Sequence, residues 1–179
     1  MTTSQQPVEI TTTREDHRIA WLAALAISVH ILESALPSPF PGIKPGLANV
    51  VTLITFCLFG FRSAVWVSVL RVLVGSLLIG TFLSPTFVLS LSGALASLLV
   101  LGLIAAVGFK GFSPVGLAVL AAAAHTLAQF GAAYVFFIPH PGLFNLLPIF
   151  MTAGLAFGIV SGMIAAYALK GINAQEQAS

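Results

Sequence analysis

Charged and amide side chains interrupt stretches of this sequence that are otherwise apolar. Arg71 stands eight residues into one such stretch, and His125 stands in the middle of another, with Gln129 four residues later. At 1.5 Å per helical residue, Arg71 lies about 12 Å from the start of its helix, too deep for its side chain to reach a bilayer surface comfortably. Arg71 must therefore face an acceptor, a water-filled pocket or an anionic ligand.

Other polar residues fall at the ends of the same stretches and predict one shared cluster. The candidate solute-binding residues are Glu33, Lys44, Asn49, Arg71, His125 and Gln129. Arginine binds a carboxylate or a phosphate through two parallel hydrogen bonds, and a glutamate can balance that charge or bind a donor. The cluster therefore predicts a small solute that has an anionic group and further hydrogen-bonding atoms.

Structural interpretations of these residues stay open. Arg71 can form an ion pair with Glu33, and His125 or Asn49 can simply hydrogen-bond a neighbouring helix. His30, Glu33 and His125 together are a possible metal site, although they match no known ligand motif. No metal is predicted, and the single cysteine, Cys57, excludes an intramolecular disulfide.

Catalytic and nucleotide-binding motifs are missing. The sequence has no P-loop, no serine nucleophile elbow and no HExxH. Asp16 is the only aspartate, so aspartate-rich Mg²⁺ sites for diphosphate chemistry cannot form. The cations are scattered singly rather than clustered as in nucleic-acid binders. We therefore expect a protein that is not an enzyme, has no cofactor and does not bind nucleic acid.

The composition requires a bilayer around these residues. The chain of 179 residues is 58% hydrophobic and 7% charged, with mean hydropathy +1.05, whereas soluble domains are about 25% charged. Six apolar stretches approach the length of a membrane span: 19–36, 47–61, 63–79, 86–107, 114–138 and 143–169. Alternation of the barrel kind is absent. The predicted fold class is an all-α integral membrane protein with six transmembrane helices.

The cations between the spans predict its orientation. Arg14, Arg18, Arg62, Lys110 and Lys170 share one side of the membrane. Lys44 alone lies on the other side, so the positive-inside rule places both termini in the cytoplasm. We expect a disordered cytoplasmic tail over 1–17, a six-helix domain over 18–170 and a second tail over 171–179, in a bacterial cytoplasmic membrane.

The first connection and two stripes of small residues have alternative interpretations. The segment SALPSPFPGIKPG, residues 34–46, has four prolines and two glycines, so it predicts an ordered cap on the outer face or a stiff surface turn. Small residues recur every fourth position in two helices, at Ala20, Ala24 and Ser28 and at Gly154, Gly158 and Gly162. Such stripes serve internal helix packing or dock a partner.

Three motifs carry a resemblance to a known family. PGIKPGLANVVTL, LRVLVGSLLIGTFLSP and AAHTLAQF, within residues 19–169, resemble the bacterial membrane family labelled heptaprenyl diphosphate synthase component I, or Gx transporter family. That family looks like the S components of energy-coupling factor (ECF) transporters, six-helix proteins that capture vitamins from outside. The resemblance implies that the 34–46 segment caps the substrate and that Ala20 and Ala24 contact a transmembrane coupling subunit. The family-motif positions are Lys44, Asn49, Arg71, Gly75, Ser76, Thr81, His125 and Gln129.

The leading hypothesis is therefore a substrate-binding subunit for uptake of a small vitamin-like or anionic solute, with energy from separate coupling and ATPase subunits. Whether the protein instead acts alone or uses an ion gradient stays open. The alternative is a non-catalytic accessory subunit of isoprenoid synthesis, because a prenyl diphosphate synthase needs two aspartate-rich motifs. A third hypothesis is an assembly protein that docks partners through the stripe at Gly154, Gly158 and Gly162.

Overall fold

The chain folds into helices, in a computed structural model that describes residues 12–35, 46–108 and 111–178. The helices are α1 (Arg14–Ala35), α2 (Leu47–Ile79), α3 (Pro85–Val107), α4 (Pro114–Phe136) and α5 (Leu147–Ala178), with a 3₁₀ helix over Pro141–Leu146. These ranges contain no strand. Five helical segments are long and apolar enough to cross a membrane. The predicted all-α membrane fold is thus confirmed at this level.

α2 is a helical hairpin rather than one straight rod. Gly60 interrupts it with φ 83° and ψ −178°, a conformation that suits only glycine. Val51 and Val67, on either side of Gly60, pack in the same buried cluster as Ala26 of α1. Sixteen residues of straight helix would separate them by about 24 Å. The two arms therefore fold back on each other, and the reversal lies where the sequence predicted a break between two spans.

Local capping explains where α3 and α4 begin. Ser84 accepts a hydrogen bond from the Phe87 amide, and Ser113 accepts one from the Gly116 amide. A proline occupies the first turn of each helix, where its missing N–H has no consequence. These serines satisfy amide groups that have no partner within the helix.

Helical structure extends into both predicted tails. Thr13 and Asp16 form a reciprocal cap: the Thr13 amide donates to Asp16 Oδ2 over 2.8 Å, and the Asp16 amide donates to Thr13 Oγ1 over 3.2 Å. α1 consequently begins at Arg14, within the predicted tail. α5 continues to Ala178 because residues 171–178 contain no proline and are rich in alanine, glutamine and glutamate, which favour helix.

The glycine stripe of α5 lies inside the bundle, against α4. A Cβ built on Gly158 would lie 2.9 Å from the Ala122 Cβ, and one built on Gly162 would lie 2.6 Å from the Val115 Cα. Gly154 faces the Thr126 hydroxyl in the same way. The absence of side chains at these positions allows α4 and α5 to approach closely, so the stripe is not a surface open to a partner.

The small-residue stripe of α1 lies on the outside. α1 packs on α2, whereas α3 packs on α4, and α2 also contacts α3 and α5. Ala20, Ala24 and Ser28 are exposed on α1, beside Trp21, whose side chain is 78% exposed. The Ser28 hydroxyl donates to the Ala24 carbonyl over 2.9 Å. This face of α1 is therefore smooth, apolar and turned away from the other described helices.

Candidate functional site

A cavity of about 270 Å³ lies between the helices, and all five contribute to its wall. Of the six predicted solute-binding residues, the five that line it are Glu33, Asn49, Arg71, His125 and Gln129. The sixth, Lys44, lies outside the described residues, as does most of the predicted proline-rich cap. The fold therefore brings together side chains that are up to 96 residues apart in sequence.

The Arg71 guanidinium reaches this cavity from the second arm of α2 without a hydrogen-bond partner among the described residues. The residue is 5% exposed, and its Nε atom is buried with no hydrogen-bond acceptor. Within residues 12–35, 46–108 and 111–178, no ion pair or hydrogen bond joins Arg71 to another side chain or to the backbone. An arginine presents five N–H donors, and leaving buried charged donors unsatisfied is costly. The cavity beside Arg71 has room for an acceptor.

Glu33 does not satisfy Arg71, because its carboxylate is bound elsewhere. It accepts hydrogen bonds from the first two amides of α2, Leu47 at 2.5 Å and Ala48 at 3.2 Å. The residue before that helix, Gly46, has no side chain with which to cap it. Glu33 thus supplies from α1 the negative charge that a helix N-terminus favours. Glu33 and Arg71 form no direct ion pair in the described ranges, although the two charges are within electrostatic range.

The His125 ring lies against the backbone of α3 at Gly93. A Cβ built on Gly93 would lie 2.5 Å from His125 Nε2, so only glycine leaves room for the ring. One turn along α3, the Ser97 hydroxyl lies 3.4 Å from His125 Nδ1 and donates to the Ala121 carbonyl over 2.9 Å. His125 also lies within electrostatic range of Arg71. Packing against α3 therefore fixes the ring at the cavity wall.

The two amide side chains at the wall have no hydrogen-bond partner within the described ranges. Asn49 and Gln129 are half-buried and line the cavity. Neither amide makes a hydrogen bond to another residue in the part of the chain that the structure describes. A side-chain amide offers two donors and an acceptor. Asn49 and Gln129 are therefore available to bind a solute.

Several wall residues escaped the sequence analysis because their types are ordinary in membrane helices. They are Thr52, Ser68, Ser97, Thr126, Phe150, Phe157 and Ser161. Thr52 Oγ1 is buried without a hydrogen-bond partner among the described residues, whereas Thr126 donates to the Ala122 carbonyl of its own helix over 3.0 Å. Hydroxyls bonded to their own helix look the same in sequence as hydroxyls that face a ligand, so only tertiary contacts identify them.

The metal site considered from the sequence does not form among the described residues. In those ranges no group of three or more histidine, cysteine, aspartate or glutamate residues is placed to hold a metal ion. His30 and Glu33 sit on α1, where Glu33 is committed to the α2 amides. His125 packs on α3 instead.

Comparisons with known proteins give one match. No curated protein and no solved structure matches the chain. The family described as heptaprenyl diphosphate synthase component I matches residues 22–168, which include every described residue that lines the cavity. Its description refers to one component of a synthase, and hence to an assembly of more than one subunit. The chain belongs to this family, heptaprenyl diphosphate synthase component I.

Proposed function

We propose that the protein is a membrane-embedded substrate-binding subunit that holds a small anionic organic solute in the cavity between its helices. The observation that carries the proposal is the Arg71 guanidinium, which is buried, faces the cavity and has no partner in the described ranges. Asn49, His125 and Gln129 add hydrogen-bonding groups at the same wall. Lipid does not tolerate such groups without partners, so their assembly favours a binding role.

The proposed membrane topology has six crossings and cytoplasmic termini. The hairpin at Gly60 supports it, because each arm of α2 then crosses separately. The first arm, residues 47–59, is about 20 Å long at 1.5 Å per residue, and a span shorter than the roughly 30 Å hydrocarbon core is accommodated by local thinning of the bilayer. The cation distribution supports the orientation. The proposal also includes a proline-rich cap over 34–46. That cap stays a prediction, because most of the segment lies outside the described residues.

The proposed partner surface is the exposed face of α1. Ala20, Ala24 and Ser28 form a smooth stripe that no other described helix covers, and small residues allow close contact between membrane helices. A transmembrane coupling subunit bound there, as in ECF transporters, would link the chain to ATPase subunits. This source of energy fits a sequence that has no nucleotide-binding motif.

A second candidate function follows from the family description. In it the chain is a non-catalytic membrane accessory subunit of heptaprenyl diphosphate synthesis. Co-purification with a soluble aspartate-rich synthase, and loss of that synthase activity when this chain is removed, would favour it over solute uptake.

Equilibrium binding of the purified protein to a panel of vitamins and flavins tests the proposed function. For a ligand that binds, we expect Arg71→Ala to weaken affinity about 10- to 100-fold, since hydrogen bonds to charged groups contribute about 1.5–3 kcal/mol. His125→Ala should also weaken it. The matched control is Arg18→Ala, which removes an exposed cation stacked 4.6 Å from the centre of the Phe59 ring. Unchanged affinity in both cavity variants would contradict the proposal.

A further inference from the structure

We propose that the ligand is a compact organic monoanion, a monocarboxylate with an uncharged and largely apolar body. This inference rests on the proposed solute-binding function and narrows it. It favours a carboxylate over a diphosphate at the described part of the cavity wall. Three observations support it: the charge of the cavity wall, the size of the cavity and the apolar residues that form much of the wall.

The described part of the wall supplies one free positive charge. Among the described residues that line the cavity, Arg71 is the only lysine or arginine and Glu33 the only carboxylate. The Glu33 charge is taken up by the Leu47 and Ala48 amides at the N-terminus of α2. One guanidinium matches the single charge of a carboxylate and its two oxygens. A phosphate carries about −1.5 to −2 at neutral pH, so a diphosphate would bury negative charge that no described wall residue neutralises.

The size of the cavity limits the rest of the ligand. The volume of the cavity is about 270 Å³. This is just below the range of about 300–1,000 Å³ typical of small-molecule pockets. A compact small molecule therefore suits this cavity better than a long isoprenoid chain does.

The remaining wall is mostly apolar. Leu98 and Leu101 of α3 and Phe150 and Phe157 of α5 line the cavity and carry no hydrogen-bonding group in their side chains. Charged or strongly polar groups on the ligand body would lose their hydration against these residues without compensation. The body is therefore uncharged, and its polar atoms meet the amides of Asn49 and Gln129 and wall hydroxyls such as that of Thr52.

Labelling of a cavity thiol with charged reagents tests the sign of the electrostatic potential in the cavity, and it does not require the ligand to be identified. Ser68 lines the cavity three residues before Arg71, so the two side chains are neighbours about 5–6 Å apart on one helix face. In a Cys57→Ala background, Ser68→Cys would be labelled with methanethiosulfonates of similar size, one bearing ethylsulfonate and the other ethyltrimethylammonium. We expect the anionic reagent to react at least about tenfold faster, relative to free cysteine.

The same background contains the controls. Arg71→Gln should remove the preference for the anionic reagent, and Arg71→Lys should retain it. In the protein that keeps Cys57 and has serine at position 68, the exposed Cys57 thiol should show a ratio of rates that does not depend on Arg71. Equal rates for the anionic and cationic reagents at the introduced thiol, or a faster reaction of the cationic reagent, would overturn the proposal of a monoanionic ligand. Neither result would contradict the broader proposal of a solute site.

Protection of the introduced thiol distinguishes the ligand classes. Benzoate at millimolar concentration should slow labelling of Ser68→Cys by neutral methyl methanethiosulfonate several-fold. Benzamide, its uncharged counterpart, and inorganic pyrophosphate should have little effect. Protection by pyrophosphate and not by benzoate would contradict the inference and favour an isoprenoid diphosphate instead. Equal protection by benzamide and benzoate would contradict the requirement for charge.

Discussion

Replacing Gly93 by alanine places a methyl group where the His125 ring lies. A Cβ at Gly93 would be 2.5 Å from Nε2, 2.6 Å from Cε1 and 2.7 Å from Cδ2 of that ring. Because non-bonded carbon atoms pack at about 3.5–4.0 Å, the ring must move by about 1 Å. Overpacking of this kind costs about 1–3 kcal/mol, and alanine regains up to about 1 kcal/mol of helix propensity over glycine. We therefore expect Gly93→Ala to lower the free energy of unfolding by about 1–2 kcal/mol.

Thermal or denaturant unfolding in detergent, followed by intrinsic fluorescence, measures this change. The decisive comparison is a double-mutant cycle with His125→Ala, because removal of the ring removes the clash. In the His125→Ala background, Gly93→Ala should be neutral or stabilising. Gly131→Ala on α4, where an added Cβ meets nothing within 4 Å, controls for helix propensity. An equal loss from Gly93→Ala in both backgrounds would refute the placement of His125 against α3.

Three further substitutions test the framework of the site. Glu33→Gln should lower the free energy of unfolding by about 1–3 kcal/mol in the same assay, because the amides at the start of α2 lose a charged acceptor. The control, Glu15→Gln at an exposed position, should not lower it, and equal effects would contradict the capping of α2 by Glu33. Gly60→Ala should lower stability by about 1–3 kcal/mol, since its φ of 83° with ψ of −178° strains any other residue; a neutral result would contradict the hairpin. Gly158→Leu should separate α4 from α5 and unfold the protein at lower temperature, because even a Cβ there lies 2.9 Å from that of Ala122; a stable variant that only fails to assemble with a partner would favour the scaffold hypothesis.

The sequence predicted the helices and part of the cavity wall for a clear physical reason. A charged or amide group within an apolar stretch is expensive in lipid, so Arg71, His125 and Gln129 stood out without structural information. The break at Gly60 was visible because glycine interrupts an otherwise apolar run. These signals are local, and each depends only on a residue and its neighbours in the chain.

The remaining features depend on contacts between distant segments. Glu33 caps a helix that begins 14 residues later, which no local pattern indicates, so the sequence suggested an ion pair or a ligand contact instead. Gly93 on α3 makes room for His125, 32 residues away, yet it resembles any glycine in a membrane helix. The stripe on α5 was compatible with internal packing or with a partner, and only the contacts with α4 show that it is internal.

The central claim is that Arg71 binds an anionic solute within the membrane domain, and native mass spectrometry of the protein purified in mild detergent from its own membranes tests it most directly. The account predicts that the wild-type protein carries a small acidic molecule in near-stoichiometric amount, and that Arg71→Gln, purified in parallel and equally well folded, carries none. The same molecule retained in full by Arg71→Gln, or a wild-type protein that neither carries nor takes up any small acid, would contradict the account.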